Sequence, residues 1–145
     1  MQFEINIPPL TGTMTAAHLF EVGGVAPTNI VSSNQGFGAH IEWQLCGWLA
    51  QFLPGNWRIA LLLESMGPGP EYSMPIPPDT VPLGNGAPCP LNPACTCYVH
   101  NINIAAGAVN PGTYRAVVAL TYEPAPGTSG PIAGHADLGM VQIYA

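Results

Sequence analysis

The sequence predicts an all-β protein, an antiparallel β-sandwich of seven to eight strands joined by long loops rich in proline and glycine. Apolar and polar residues alternate with a period of two between turn signals along the chain, which is typical of half-buried strands. No segment shows the longer period of an amphipathic helix. The length of 145 residues predicts a single domain over residues 1–145, and a closed barrel is the alternative arrangement of the same strands.

Each predicted strand in the first half of the chain is an alternating run that ends at a turn signal. The run over residues 41–49 places Trp43 and Trp48 on opposite faces, and the Pro-Gly-Asn turn at residues 54–56 follows it. Residues 11–25 fit either one helical turn or an irregular crossing. The predicted strands of this half are therefore residues 2–7, a short segment at 28–32, 41–49 and 57–63.

Proline governs the middle of the chain, where four prolines fall within residues 75–82. Because proline has no backbone N–H to donate, this stretch can only be extended chain or an edge strand. Residues 84–95 and 124–134 are predicted to be loops, since turn-forming residues fill both. The predicted strands of the second half are residues 96–104, 114–122 and 140–144.

The scarcity of charge excludes two classes of partner. Charged residues make up 7% of the chain, with two Lys or Arg, eight Asp or Glu and a net charge of −6, whereas about 25% is usual. Arg58 and Arg115 are the only fixed cations. Nucleic acids and anionic membrane surfaces are bound by clusters of Lys and Arg, so neither is an expected partner. No apolar run approaches the roughly 20 residues of a membrane-spanning helix.

Two motifs resemble immunoglobulin-like β-sandwich modules. The run Pro-Gly-Thr-Tyr-Arg-Ala at residues 111–116 is similar to the start of strand F, where a Gly-x-Tyr turn places a corner tyrosine, here Tyr114. Cys46 and Trp57 are similar to the B-strand cysteine and C-strand tryptophan. The resemblance implies strand A at residues 2–7 and strands B to G near residues 41, 57, 76, 98, 114 and 140. Ala116 replaces the family's second cysteine, so its inter-sheet disulfide is not implied, and the fold alone implies no function.

The densest group of reactive side chains comprises Cys89, Cys95, Cys97 and His100. Three thiolates and an imidazole can complete a tetrahedral zinc site, but a regular strand over residues 96–104 would point Cys97 and His100 to opposite faces. We therefore favour disulfides or free thiols over a metal site, and the expected disulfides join Cys89 to Cys95 or to Cys97 and Cys46 to the remaining cysteine. The spacing does not choose between these pairings. We expect no metal ion and no cofactor.

Catalysis has little support in the sequence. No motif of a serine nucleophile, a phosphate-binding loop or a zinc protease is present. Glu64 and Glu71 flank a Gly-Pro-Gly-Pro turn and can be imagined as the paired acids of a glycosidase. With eight acidic residues in the chain, a solvated accidental pair is the preferred interpretation. We expect that the protein is not an enzyme.

Aromatic side chains provide the candidate interaction surface, namely Trp48, Tyr72 and Tyr144. Exposed aromatic rings bind sugars or become buried against a protein partner. The alternative is that both faces of the sandwich are covered, one by the second sheet and one by the proline-rich stretch. Apolar residues at outward positions, such as Leu62, Val117 and Ala119, favour such burial.

The charge deficit leads to the main functional hypothesis. A chain with no lysine suits a subunit whose exterior is buried against other molecules, because interfaces are depleted in lysine and glutamate. We expect a non-enzymatic structural subunit that forms a homo-oligomer or polymer (a filament, shell or layer) through strand edges and apolar faces, with the first and last strands as candidate edges. The alternatives are a secreted module that binds carbohydrate or protein, and a small Cys/His metalloprotein.

The cysteines also bear on the compartment. Four cysteines in a lysine-free, proline-rich chain favour an extracellular or surface assembly, where disulfides persist. The first twenty residues do not have the pattern of a secretory signal, so the cytoplasm is the alternative location.

Overall fold

The structure is a computed structural model that describes residues 2–5, 10–22, 28–125, 127–128, 130 and 132–145. Of residues 2–5, 49 and 51 only the backbone is described. The described chain contains ten strands and two short 3₁₀ turns, which confirms the all-β prediction. The strands are β1 (Gln2–Ile5), β2 (Thr11–Glu21), β3 (Ile30–Ser32), β4 (Phe37–Cys46), β5 (Asn56–Ser65), β6 (Tyr72–Pro82), β7 (Ala87–Pro88), β8 (Cys95–Ile104), β9 (Gly112–Glu123) and β10 (Ile132–Tyr144), and the 3₁₀ turns are Trp48–Phe52 and Leu83–Asn85.

The strands form two sheets. The six-stranded sheet has the order β1-β10-β9-β5-β6, with β3 also pairing with β10, and the four-stranded sheet has the order β2-β4-β8-β7. Neighbouring strands are antiparallel except for β3 and β10, which are parallel. No helix in the described part of the chain is long and apolar enough to span a membrane.

The inner faces of the two sheets share one hydrophobic core. At its centre, Trp43 of β4 meets Trp57 of β5 edge to face, with 6.0 Å between ring centroids. Tyr98 of β8 stacks on Trp43 at 5.4 Å and donates a hydrogen bond of 2.9 Å to the Leu83 carbonyl. These contacts satisfy the Tyr98 hydroxyl while the ring stays buried, as buried tyrosines require.

The strand count exceeds the predicted seven to eight mainly because the ambiguous N-terminal stretch is regular. Strand β2 pairs with β4 along its whole length, so neither a helical turn nor an irregular crossing is present at residues 11–21. Met14 and Leu19 are buried, and a bulge between Met14 and Ala16 lies between them. A bulge shifts the alternation of inward and outward side chains by one residue. The sequence of β2 therefore does not show a continuous period of two. The two-residue strand β7 also adds to the count, whereas β3 lies within the short segment predicted at residues 28–32.

The last strand is much longer than residues 140–144. Strand β10 begins at Ile132 and contains a bulge between Asp137 and Gly139. Gly139 has φ +80°, a left-handed conformation that glycine adopts without steric cost. The predicted loop over residues 124–134 overlaps the start of this strand, and Gly139 bends the strand without ending it. Strand β10 is also flanked by β9 on one side and by β1 and β3 on the other, so it is not the edge strand that the sequence suggested.

The proline-rich stretch is the edge strand that the sequence allowed. Strand β6 pairs with β5 and is last in the six-stranded sheet. In an immunoglobulin-like module, strand D pairs with strand E, and the strand E implied near residue 98 is β8. Strand β6 pairs with β5 and not with β8, so the strand D implied near residue 76 is wrong. Strand β6 continues the six-stranded sheet at its edge and therefore does not cover the outer face of the sandwich. The alternative in which the proline-rich stretch covers that face is wrong.

Candidate functional site

The four cysteines form two disulfide bonds at one end of the molecule. Cys46, the last residue of β4, is bonded to Cys95, the first residue of β8, and the two are direct partners in the ladder. Cys89 is bonded to Cys97 and closes a short loop. This is one of the two pairings that the spacing left open. We call this end, with the first 3₁₀ turn and the 89–95 loop, the disulfide end.

The candidate zinc ligands are therefore occupied by other partners. All three thiols of the set are in disulfides, and His100 Nε2 lies 2.8 Å from Asp79 Oδ2 of β6. This contact joins the edge of one sheet to the edge of the other. Among the described residues, no group of three or more His, Cys, Asp or Glu side chains has the geometry to hold a metal ion.

Trp48 lies at the disulfide end, on the first 3₁₀ turn and not on a strand face. Strand β4 ends at Cys46 and the next residue, Gly47, has φ 121°, so the chain turns before the predicted end at residue 49. Trp48 is 67% exposed and Phe52 is 66% exposed, and their rings meet edge to face at 6.4 Å. The two rings form an aromatic pair in solvent, and we call it the Trp48–Phe52 pair.

The two candidate tyrosines lie at the opposite end of the sheets. Tyr72 is half-buried at the start of β6, where its ring contacts Tyr114 at 6.0 Å and its hydroxyl accepts a 3.1 Å hydrogen bond from the Asn110 N–H. Tyr144 is exposed at the end of β10. Trp48, Tyr72 and Tyr144 therefore do not form one surface, and Tyr72 has a structural role.

A groove on the outer face of the six-stranded sheet is a feature that the sequence did not reveal as a site. It has a volume of about 450 Å³, and its lining residues include Leu62, Val117, Glu64, Glu71 and Arg115. Leu62 of β5 and Val117 of β9 are direct cross-strand partners, so they form an apolar floor. The glutamates that flank the Gly-Pro-Gly-Pro turn do line a common groove. The sequence feature that could have predicted this groove is the apolar character of Leu62 and Val117 at outward-facing positions.

Arg115 on this groove is held by an acidic partner. Its guanidinium donates to Asp137, with 3.0 Å between Nε and Oδ2. This hydrogen bond, together with one from the Gly139 N–H, lowers the pKa of Asp137 below its ordinary value. The carboxylate is therefore ionised at neutral pH and neutralises Arg115, which leaves the groove without a free cation.

A polar cluster lies on the four-stranded sheet, where the sequence showed only scattered histidines. His18 and His40 are direct partners across β2 and β4, with ring centroids 5.1 Å apart. His40 Nδ1 lies 2.6 Å from Asn101 Oδ1 and its Nε2 lies 3.2 Å from Glu42 Oε2. Both ring nitrogens thus lie within hydrogen-bond distance of a side-chain oxygen.

Comparison with known proteins supports the fold alone. Neither a protein-family model nor a curated protein matches the chain. Among solved structures, the chain is similar to the C-terminal domain of Wzt, with a TM-score of 0.59 and 9% sequence identity, over 92% of this chain and 74% of that one. The similarity of two chains at this identity concerns architecture, and function must be argued from the surface of this protein.

Proposed function

We propose that the protein is a non-enzymatic structural subunit that self-associates through its uncharged exterior into a filament, shell or layer. The observation that carries the proposal is the combination of large exposed apolar side chains on the described surface with a charged fraction of 7%. Burial of these side chains against a second copy is favourable, and few charges have to be desolvated with them. The exposed large apolar residues are Val22, Ile30, Trp48, Phe52, Leu62, Met66, Ile76, Leu91, Val99, Met140 and Tyr144.

The surface carries few charges, and both fixed cations are paired within the molecule. Arg58 Nε lies 3.5 Å from Glu123 Oε2, and Arg115 pairs with Asp137, so both arginines of the chain are neutralised within the molecule. Lysine, the residue that most often protects strand edges and surfaces from association, is absent from the sequence. The remaining exterior consists of small, polar and apolar side chains that can be buried at low desolvation cost.

We expect the protein to self-associate at micromolar concentrations and above. Multi-angle light scattering coupled to size exclusion should give a mass above 15.1 kDa that increases with protein concentration. Because uncharged strand edges and apolar faces do not depend on ion pairs, added salt should not dissociate the contact, whereas an association based on ion pairs would weaken through screening. A monodisperse species of 15.1 kDa at every concentration would overturn the proposal.

A binding module for carbohydrate is the second candidate, and the Trp48–Phe52 pair favours it. Exposed aromatic rings stack on the apolar faces of sugars, and here two disulfides hold the surrounding chain. If this function is present, tryptophan fluorescence shifts on addition of a glycan from a panel, and Trp48→Ala abolishes the shift. Phe52→Leu is the matched variant, because it keeps the fluorophore and removes only the second ring. No shift with any glycan would exclude this candidate for the panel used.

The immunoglobulin-like class of the sandwich is part of the proposal. It is supported by Tyr114, whose hydroxyl donates a 2.7 Å hydrogen bond to the Asn110 carbonyl, as a corner tyrosine does. The order β2-β4-β8-β7 corresponds to strands A, B, E and D, and β10-β9-β5 corresponds to G, F and C. Strand A is then β2 and not the implied residues 2–7, because β1 pairs with β10 in the other sheet. In this assignment β6 takes the position beside strand C that variable-type modules add.

A further inference from the structure

Strand β8 has an unpaired edge along most of its length. It pairs with β4 over all ten residues, from Cys95 to Ile104, whereas β7 pairs only with Thr96 and Cys97. In the part of the chain that the structure describes, no strand pairs with residues 98–104 on the other side. These seven residues form an edge of the four-stranded sheet, which we call the β8 edge.

The chain before β7 is held away from this edge by Tyr98. Leu83 accepts the hydrogen bond of the Tyr98 hydroxyl, and Gly86 passes so close that a Cβ there would lie 2.7 Å from the tyrosine ring. The chain therefore approaches β8 over the ring of Tyr98 and joins it only at residue 97. The strand position beside residues 98–104 is left vacant by this path.

The ladder geometry identifies the backbone groups that point into the vacant position. The Cys95 carbonyl accepts a 3.0 Å hydrogen bond from the Cys89 N–H on the β7 side. Because alternate residues of a strand direct their N–H and C=O groups to the same side, Val99, Asn101 and Asn103 direct theirs away from β4. No backbone hydrogen bond of these three residues to a group outside the β4–β8 ladder occurs among the described residues.

The β8 edge also lacks the usual protection against pairing. No proline, lysine, arginine, aspartate or glutamate occurs between residues 98 and 104, whereas prolines protect the edge strand β6. Val99 is 60% exposed, and Asn101 and Asn103 are exposed beside it. The one titratable group with an ion partner here, His100, pairs with Asp79. An edge of this kind is a template for strand addition.

We propose that the β8 edge binds the β8 edge of a second copy, antiparallel, about a two-fold axis at Asn101. This inference rests on the proposed self-association and names one surface that takes part in it. A two-fold contact closes on a dimer, so a filament, shell or layer uses a second contact in addition. The pairing joins two four-stranded sheets into a continuous sheet. Val99 then faces Asn103 of the second copy, and the three N–H and three C=O groups that each edge directs outward are all satisfied, giving about six hydrogen bonds between the copies.

A second copy fits this edge because the edge is self-complementary and uncharged. The net charge of −6 is not concentrated at this edge, because Asp79 of β6 contacts His100 and the acid of the four-stranded sheet that faces the edge is Glu42 of β4, opposite Val99. In the symmetric pair the two Glu42 residues are three strand spacings apart across the sheet and four residues apart along it, a separation of about 20 Å. This separation exceeds the Debye length of about 8 Å at physiological ionic strength, so salt screens their repulsion.

The test compares the association of the full chain with that of two edge variants. Val99→Pro removes an N–H that points out of the sheet, so it costs the monomer no ladder bond but blocks pairing. Asn103→Lys places an ammonium in the contact. Thr13→Lys is the matched control, because Thr13 is exposed on β2, the opposite edge of the same sheet. Near-ultraviolet circular dichroism, which reports the buried Trp43 and Trp57, verifies the fold.

Sedimentation equilibrium should show that Val99→Pro raises the dimer dissociation constant at least about tenfold, the effect of losing two hydrogen bonds in the symmetric pair. Asn103→Lys should raise it as well, because the ammonium group is partly desolvated between the copies. Thr13→Lys should leave it unchanged. In the unmodified protein, the amides of Val99, Asn101 and Asn103 should become protected from hydrogen exchange as the concentration rises.

Self-association that persists unchanged in both edge variants would overturn the β8 pairing and leave the proposed function standing. A protein that is monomeric at every concentration would overturn both. If Thr13→Lys weakened the dimer as much as the edge variants do, the contact would involve β2, and the assignment to the β8 edge would be wrong. If Val99→Pro fails to fold, Asn103→Lys and the exchange measurement decide the question.

Discussion

Replacing Trp43 with alanine is expected to lower the free energy of unfolding by about 3–5 kcal/mol, the usual cost of deleting a buried tryptophan side chain. Trp43 is fully buried and contacts Trp57 of the opposite sheet and Tyr98 of its own sheet. The deletion therefore leaves a cavity between the sheets that rigid strands cannot collapse to fill. Urea unfolding followed by far-ultraviolet circular dichroism measures the loss.

Trp48→Ala is the control for this prediction. It removes the same side chain from a position that is 67% exposed, so the free energy of unfolding should change by less than about 0.5 kcal/mol. Equal losses in the two variants would contradict the placement of Trp43 at the centre of the core and of Trp48 in solvent. A small loss for Trp43→Ala alone would show that the sheets repack around the gap.

Removing the Cys46–Cys95 disulfide is expected to lower the free energy of unfolding by about 4 kcal/mol, from the loop entropy that the bond removes from the unfolded chain. The bonded residues are separated by 49 positions. The Cys89–Cys97 bond spans a separation of 8, and the same relation gives about 2.5 kcal/mol for its loss. Removing the Cys46–Cys95 bond, which closes the longer loop, should therefore lower the free energy of unfolding by more than removing the Cys89–Cys97 bond.

Two double variants, Cys46→Ala with Cys95→Ala and Cys89→Ala with Cys97→Ala, test this difference under non-reducing conditions. Each keeps the other disulfide intact, and each replaces two sulfurs by two methyl groups, so the comparison controls for the chemical change. Denaturant midpoints and slopes give the two losses. A larger loss for the Cys89–Cys97 pair would indicate that this bond acts mainly by holding the native loop, and not through the unfolded chain.

The elements that could be predicted from the sequence are those with an uninterrupted alternation. Residues 57–63, 96–104 and 114–122 read as strands because their inward residues, such as Ile59, Ile102 and Leu120, are apolar at every second position and are buried in the structure. The proline-rich edge strand could also be predicted, since it depends on the missing N–H of proline and on nothing distant in the chain.

The elements that the sequence did not reveal depend on local irregularity or on distant partners. Bulges near Met14 and at Gly139 reset the alternation, and Gly47 ended β4 before Trp48. The choice between two disulfide pairings required the alignment of β4 with β8, which residues far apart in the chain determine together. The β8 edge is likewise a property of topology, because it exists only where β7 stops.

The position of the Cys46–Cys95 bond has one more consequence. The bonded residues are direct cross-strand partners at the end of the β4–β8 ladder. The bond therefore fixes the register of these two strands and also holds them together. A slip of one residue would exchange inward and outward side chains throughout β8. Such a slip would have to stretch or break a covalent link, so a molecule that frays at the far end of this sheet is guided back to the same alignment when the strands rejoin.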